Sequence, residues 1–137
     1  MKRRILSALI VALVVFGAIQ IIRVPRANPP VEMEVAWDSP RSRELFYRAC
    51  ADCHSHETQW PWYASLAPVS WLVADHVRDG RLEMNISVPD EMDVAEAVKQ
   101  IRSGQMPPAD YRLMHPAARL DAAEKDALVA GLKKTFR

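Results

Sequence analysis

Basic residues are scarce where a nucleic-acid binder would need them. The 137-residue chain carries a net charge of +1, yet five cations, Lys2, Arg3, Arg4, Arg23 and Arg26, precede the first acid. From Val31 onward 13 Lys/Arg face 17 Asp/Glu, so that part of the chain stands at −4. This excludes a surface built to neutralise phosphates and suits a domain that docks on a basic partner. No convincing strand pattern and no internal repeat appear, so a βαβ architecture is excluded. A proton-transfer dyad, an activated nucleophile and a substrate pocket are also missing, which argues against an enzyme. Thiols are confined to one pair, Cys50 and Cys53.

One long apolar run is present. Residues 5–22 contain no charge, and Gln20 is the only strongly polar side chain among them. As a helix this run would be about 27 Å long, just enough to cross a hydrocarbon core. Lys2, Arg3 and Arg4 before it favour a cytoplasmic N-terminus. Ala18-Ile-Gln and Pro25-Arg26-Ala27 make poor cleavage sites, so the run reads as an uncleaved anchor over residues 1–22, with a cleaved signal peptide as the competing reading. Both readings export the rest of the chain. Residues 23–37 open with three prolines between Arg23 and Pro30 and read as a semi-rigid spacer. Residues 38–137 form the remaining domain, about a hundred residues whose own core would be marginal without an added apolar body.

Four helices are expected in that domain. The first begins near Asp38-Ser-Pro-Arg, where a capping side chain precedes a proline, and runs through Leu45, Phe46 and Ala49 to the cysteines. The second spans about Val69 to Asp79 and stops at Gly80. A third starts at Asp90, carries Val94, Ala97, Val98 and Ile101 on one stripe, and ends at Ser103-Gly104. The fourth opens with Asp121-Ala-Ala-Glu124, a capping box with Asp as cap, and carries Leu128, Gly131, Leu132 and Phe136. Short helices joined by proline-rich loops describe an all-α domain that needs something to wrap around.

Cys50-Ala-Asp-Cys53-His54 supplies a candidate for that body. Two thiols separated by two residues suit addition across the two vinyl groups of haem, and the adjoining histidine presents its imidazole to the iron. This spacing is that of c-type haem attachment. Three alternatives stand beside it: a Cys50–Cys53 disulfide, a CxxC redox motif, which normally sits in a βαβ setting, and a zinc site completed by His56, His76, His115 or a carboxylate.

The second axial position points to Met106 in Ser103-Gly-Gln-Met-Pro-Pro. Methionine opposite histidine is common in cytochromes c and raises the potential. A glycine helix stop before it and two prolines after it place it on a stiff loop. His115, before Pro116, and His76, on the second helix, are rival ligands, and an open or water-bound iron is a further alternative. Trp62, Tyr63 and Trp71, just beyond the cysteine motif, suit the wall of a porphyrin crevice, with an indole N–H or the Tyr63 hydroxyl for a propionate. They suit the core of a small domain equally well. Arg78 and Arg81 read as propionate partners or as solvated charges.

With these residues in view, the chain resembles the haem-binding-domain family of small bacterial, often membrane-anchored, c-type cytochromes. The resemblance runs from Cys50-Ala-Asp-Cys-His-Ser-His-Glu-Thr-Gln-Trp-Pro-Trp-Tyr63 through Ala67-Pro-Val-Ser-Trp-Leu72 and His76-Val-Arg-Asp-Gly-Arg81. It continues at Asn85-Ile-Ser87, Gly104-Gln-Met-Pro107, Tyr111 and Leu113-Met-His-Pro116. It implies a cytochrome-c-like fold with haem on Cys50 and Cys53, His54 as proximal ligand and Met106 as the expected distal one, although the family pattern also features the positions of His76 and His115. The chain departs from the pattern after Asn85-Ile-Ser, where Val88-Pro-Asp replaces an expected aromatic. Phe46, four places before Cys50, is placed to meet the last helix, with Gly131 allowing the crossing.

The functional expectation is electron transfer by one covalent haem c, on the periplasmic side of a bacterial inner membrane, with a membrane oxidoreductase or a soluble carrier as redox partner. A haem-based sensor or ligand-binding module with an open sixth position, and a haem subunit of a larger membrane complex, are the alternatives.

Overall fold

The computed structural model describes residues 1–89 and 92–136. Among them every regular element is helical: α1 (Lys2–Ile19), α2 (Pro40–Ala49), α3 (Ala51–His54), α4 (Val69–Glu83), α5 (Val94–Ser103), α6 (Ala109–Met114) and α7 (Ala122–Thr135), with 3₁₀ turns at Trp62–Ser65 and Pro116–Ala118. The all-α expectation therefore holds. The chain divides into two compact units, Met1–Ala27 with Trp60–His76, and Asn28–Gln59 with Val77–Arg137.

In the first unit α1 is exposed along its length, with Leu9 and Leu13 facing outward. Gln20, the polar exception in the apolar run, exchanges two hydrogen bonds with the Ala67 backbone: its Nε2 donates to Ala67 O at 3.0 Å and its Oε1 accepts from Ala67 N–H at 2.9 Å. Among the described residues no helix is long and apolar enough to cross a membrane, which corrects the expected transmembrane helix. The helix takes in Lys2, Arg3 and Arg4 at its start and stops at Ile19, leaving Gln20, Ile21 and Ile22 in a turn. Its uncharged part, residues 5–19, spans about 22 Å, against a hydrocarbon core of about 30 Å.

The second unit is built around a crossing of α2 and α7. Ser39 caps α2, its hydroxyl accepting from Ser42 N–H, with Pro40 in the first turn. Asp121 and Glu124 complete the expected capping box on α7. Leu45, Phe46, Leu128 and Leu132 are fully buried at the crossing, and Ile86, Val98, Ile101 and Leu120 close round them. Val35 and Trp37, at the end of the proline-rich stretch, pack on the same core, with the Trp37 ring 5.1 Å from Phe46 and 5.9 Å from Phe136. Gly131 makes the crossing close: a Cβ there would lie 2.0 Å from Ser42 Oγ and 2.6 Å from Ser42 Cβ. Gly131→Ala should thus force the helices apart and cost about 1–3 kcal/mol, the usual penalty of overpacking. Urea unfolding of the variant checks this.

Three expectations about helices change. α4 does not stop at Gly80 but continues to Glu83, because Gly80 serves a close approach rather than a cap. α5 is capped by the Asp93 side chain, which accepts from Glu96 N–H; the start assigned to Asp90 lies outside the described residues. α6 was not foreseen, being six residues long and directly behind Pro107 and Pro108, too short for an apolar period to declare itself.

Candidate functional site

The two cysteines occupy a helix break. α2 ends at Ala49, Cys50 leaves helical geometry (φ −128°, ψ −36°), and α3 carries Cys53 and His54. Cys50 O accepts the N–H groups of Cys53 at 3.1 Å and His54 at 3.0 Å. One turn thus carries both thiols and the imidazole. Burial pushes the Cys50 thiol up to about 12 and, with help from the Asp52 carboxylate, Cys53 up to about 11. At neutral pH both are protonated thiols. Among the described residues no group of three or more His, Cys, Asp or Glu is placed to hold a metal ion, and no strand is present for a βαβ redox motif.

His54 is fixed at ring and backbone. Its Nδ1 lies 3.0 Å from Met84 O, and its own carbonyl accepts from Ile86 N–H at 3.0 Å. A carbonyl can only accept, so Nδ1 carries the proton and Nε2 the lone pair. Burial lowers the pKa of His54, opposed by backbone hydrogen bonds to Met84 and Gly80; the ring is neutral at pH 7 and able to coordinate. Gly80 brings α4 against this turn: a Cβ there would lie 2.6 Å from Cys53 O and 2.9 Å from Cys53 Cβ. No other residue fits that contact without displacing the attachment motif.

Asp52, between the cysteines, ties the turn to the chain on either side. Its carboxylate accepts from Gln59 N–H at 2.8 Å and from the Tyr111 hydroxyl at 2.8 Å. Burial, with the Asp52 charge, raises the Tyr111 pKa, so the phenol stays protonated and donating. His115 stacks on the Tyr111 ring at 4.1 Å with the planes 10° apart, which places this rival ligand one ring away from the attachment turn. Arg81 is neither a lone surface charge nor reserved for a propionate: its guanidinium donates to Ser55 O at 2.9 Å, to Asn28 Oδ1 at 3.1 Å and to Thr58 Oγ1 at 3.0 Å. Arg78 pairs with Asp79 at the surface.

Met106 lies on the loop foreseen for it. Gly104 takes the left-handed conformation (φ 77°), the chain leaves α5, and Met106 N–H folds back to Gln100 O at 3.1 Å. The side chain is half-buried, and Pro107 beside it is buried. Cys50, Cys53, His54 and Met106 all belong to the second unit, whereas Trp62, Tyr63, Trp71 and His76 belong to the first. Trp62 is 74% exposed and meets Tyr63 edge-on at 5.8 Å. The Trp71 indole N–H, considered for a propionate, donates to Ile22 O at 3.2 Å. Gly80, Met84 and Tyr111 are the residues that reasoning from sequence did not place at the site. The recurrence of Gly80 and Tyr111 in the family resemblance was the available signal; a backbone carbonyl such as that of Met84 leaves none.

The residues fit a porphyrin iron. The turn carries two cysteines and an imidazole with its lone pair on Nε2, and Cys50 packs on the apolar core. The model of the family described as haem-binding domain matches residues 14–134, and the chain belongs to that family. Neither the curated proteins nor the solved structures give a match.

Proposed function

We propose that the chain is a mono-haem c-type cytochrome that carries single electrons at the exported face of a bacterial inner membrane. Cys50 and Cys53 would hold the haem covalently, each through a thioether, and His54 Nε2 and Met106 Sδ would be its iron ligands. When bound, the haem supplies a one-electron ferric/ferrous couple; the protein holds the ligands in place so that little reorganises when the charge changes. The observation that carries the reading is the anchored His54 ring, held through Nδ1 by the Met84 carbonyl with Nε2 left to bind iron, directly after Cys53.

The membrane side of the proposal rests on α1. Its apolar side chains are exposed, and three cations precede them, a composition that favours contact with a lipid surface. The redox partner, a membrane oxidoreductase or a soluble carrier, is drawn to a domain with an acidic balance. Stopped-flow mixing of the reduced, detergent-solubilised protein with a basic soluble electron carrier should show rapid reoxidation that slows as salt rises. An iron that exchanges no electrons but binds carbon monoxide at once would replace this reading with the sensor.

A further inference from the structure

Residues 84–87, directly after α4, run beside the attachment turn and bond to it repeatedly. Met84 O accepts from His54 Nδ1 at 3.0 Å, Ile86 N–H donates to His54 O at 3.0 Å, and Ser87 Oγ accepts from His56 N–H at 2.8 Å. Ser87 O in turn accepts from the N–H groups of Glu32 at 2.8 Å and Met33 at 3.1 Å. His56, only 9% exposed, lies within this knot.

The side chain of Asn85 organises it. Asn85 Oδ1 accepts from Ser87 N–H at 3.0 Å, which fixes the orientation of the amide. Its Nδ2 therefore donates to His56 Nε2 at 2.9 Å, and His56 keeps its proton on Nδ1, where it is given to Pro30 O at 2.8 Å. Each donor in this chain determines the next, and one arrangement satisfies all of them. A buried imidazole is costly unless fully bonded, and the half-buried Asn85 amide supplies the bond that His56 Nε2 needs.

We propose that Asn85 is a positioning residue for that ligand: through Ser87 and His56 it holds the Met84 carbonyl against the His54 imidazole, and so sets how strongly the ring donates to iron. This rests on the haem reading above. A carbonyl bonded to the non-ligating nitrogen raises the basicity of a histidine ligand, and the strength of that bond depends steeply on its distance and angle. A stronger bond stabilises the ferric state, so loosening Met84 raises the reduction potential.

The test is potentiometric titration of the full-length, haem-loaded protein carrying Asn85→Ala, beside the milder His56→Ala, which leaves the Asn85–Ser87 bond in place. Both variants should show a potential above the parent and faster exchange of the His54 ring N–H, with Asn85→Ala shifting further. The double variant should shift no further than Asn85→Ala alone, because both act through one chain of bonds. Lower thermal stability with an unchanged potential in both would overturn the proposal and leave the knot a loop staple. Should Asn85→Ala fail to fold, His56→Ala decides on the same two readings. A parent protein whose spectrum shows no histidine-ligated haem would fail the haem reading itself, a result seen before any variant is made.

Discussion

Replacing Cys50 and Cys53 together by Ala should leave no haem on the chain after acid-acetone extraction, whereas the parent should retain all of it. Axial bonds to His54 and Met106 do not survive acid, since the imidazole protonates and the thioether is a weak ligand, so only carbon–sulfur bonds hold the group through the extraction. Each single replacement leaves one thioether and should give a lower yield of a still covalent product. The two cysteines are not interchangeable in their surroundings. Cys50 is set in the α2–α3 break against the core, while Cys53 backs onto Gly80. The Cys50 variant should accordingly lose more stability, because it also leaves a gap in the core.

The second large effect belongs to Met106. If its sulfur binds iron, the oxidised parent shows a weak sulfur-to-iron charge-transfer band near the red edge of the visible spectrum. Met106→Ala should abolish that band and lower the potential by on the order of 100 mV, since thioether ligation favours the ferrous state. Carbon monoxide should bind the reduced variant readily and the reduced parent poorly. The geometry behind this expectation is local: Gly104 turns the chain out of α5, and the Met106 amide is pinned back to Gln100. The stack of His115 on Tyr111, whose hydroxyl reaches Asp52, makes His115 the informative comparison. A parent without the band whose iron opens to carbon monoxide only in His115→Ala has histidine as its sixth ligand.

The helical architecture was legible because its signals are local. The Ser39-Pro40 start, the Asp121–Glu124 capping box and the glycine stop at Gly104 each depend on a few neighbouring residues, and each appears in the structure as read. The Gly131 crossing was expected from the resemblance, in which an aromatic four places before Cys50 meets the last helix, and the structure shows that close approach. Gly80 misled because a glycine near a helix end looks like a stop, and only the distant Cys53 shows why the helix runs through it. The α1 boundaries failed differently. The apolar run was read from residue 5 to 22, but the helix takes in Lys2, Arg3 and Arg4 and stops at Ile19, because helical hydrogen bonding follows the backbone and not the charge pattern.

The thiols and His54 could be read from spacing alone because one helical turn carries all three. What fixes them could not be. Met84 acts through its backbone, Asn85 through a histidine 29 residues earlier in the chain, and Tyr111 through a carboxylate inside the motif. None of these pairings has a period or a spacing; each exists only once α4 and the loop after it return to the attachment turn.

The most direct test of covalent haem attachment is the mass of the intact, purified chain under denaturing conditions. Thiol addition to vinyl groups loses no atoms, so the expected result is the polypeptide mass plus one whole haem, bound to the peptide that contains Cys50 and Cys53. A chain at the bare polypeptide mass, or lighter by two hydrogen atoms as a Cys50–Cys53 disulfide would make it, would contradict it.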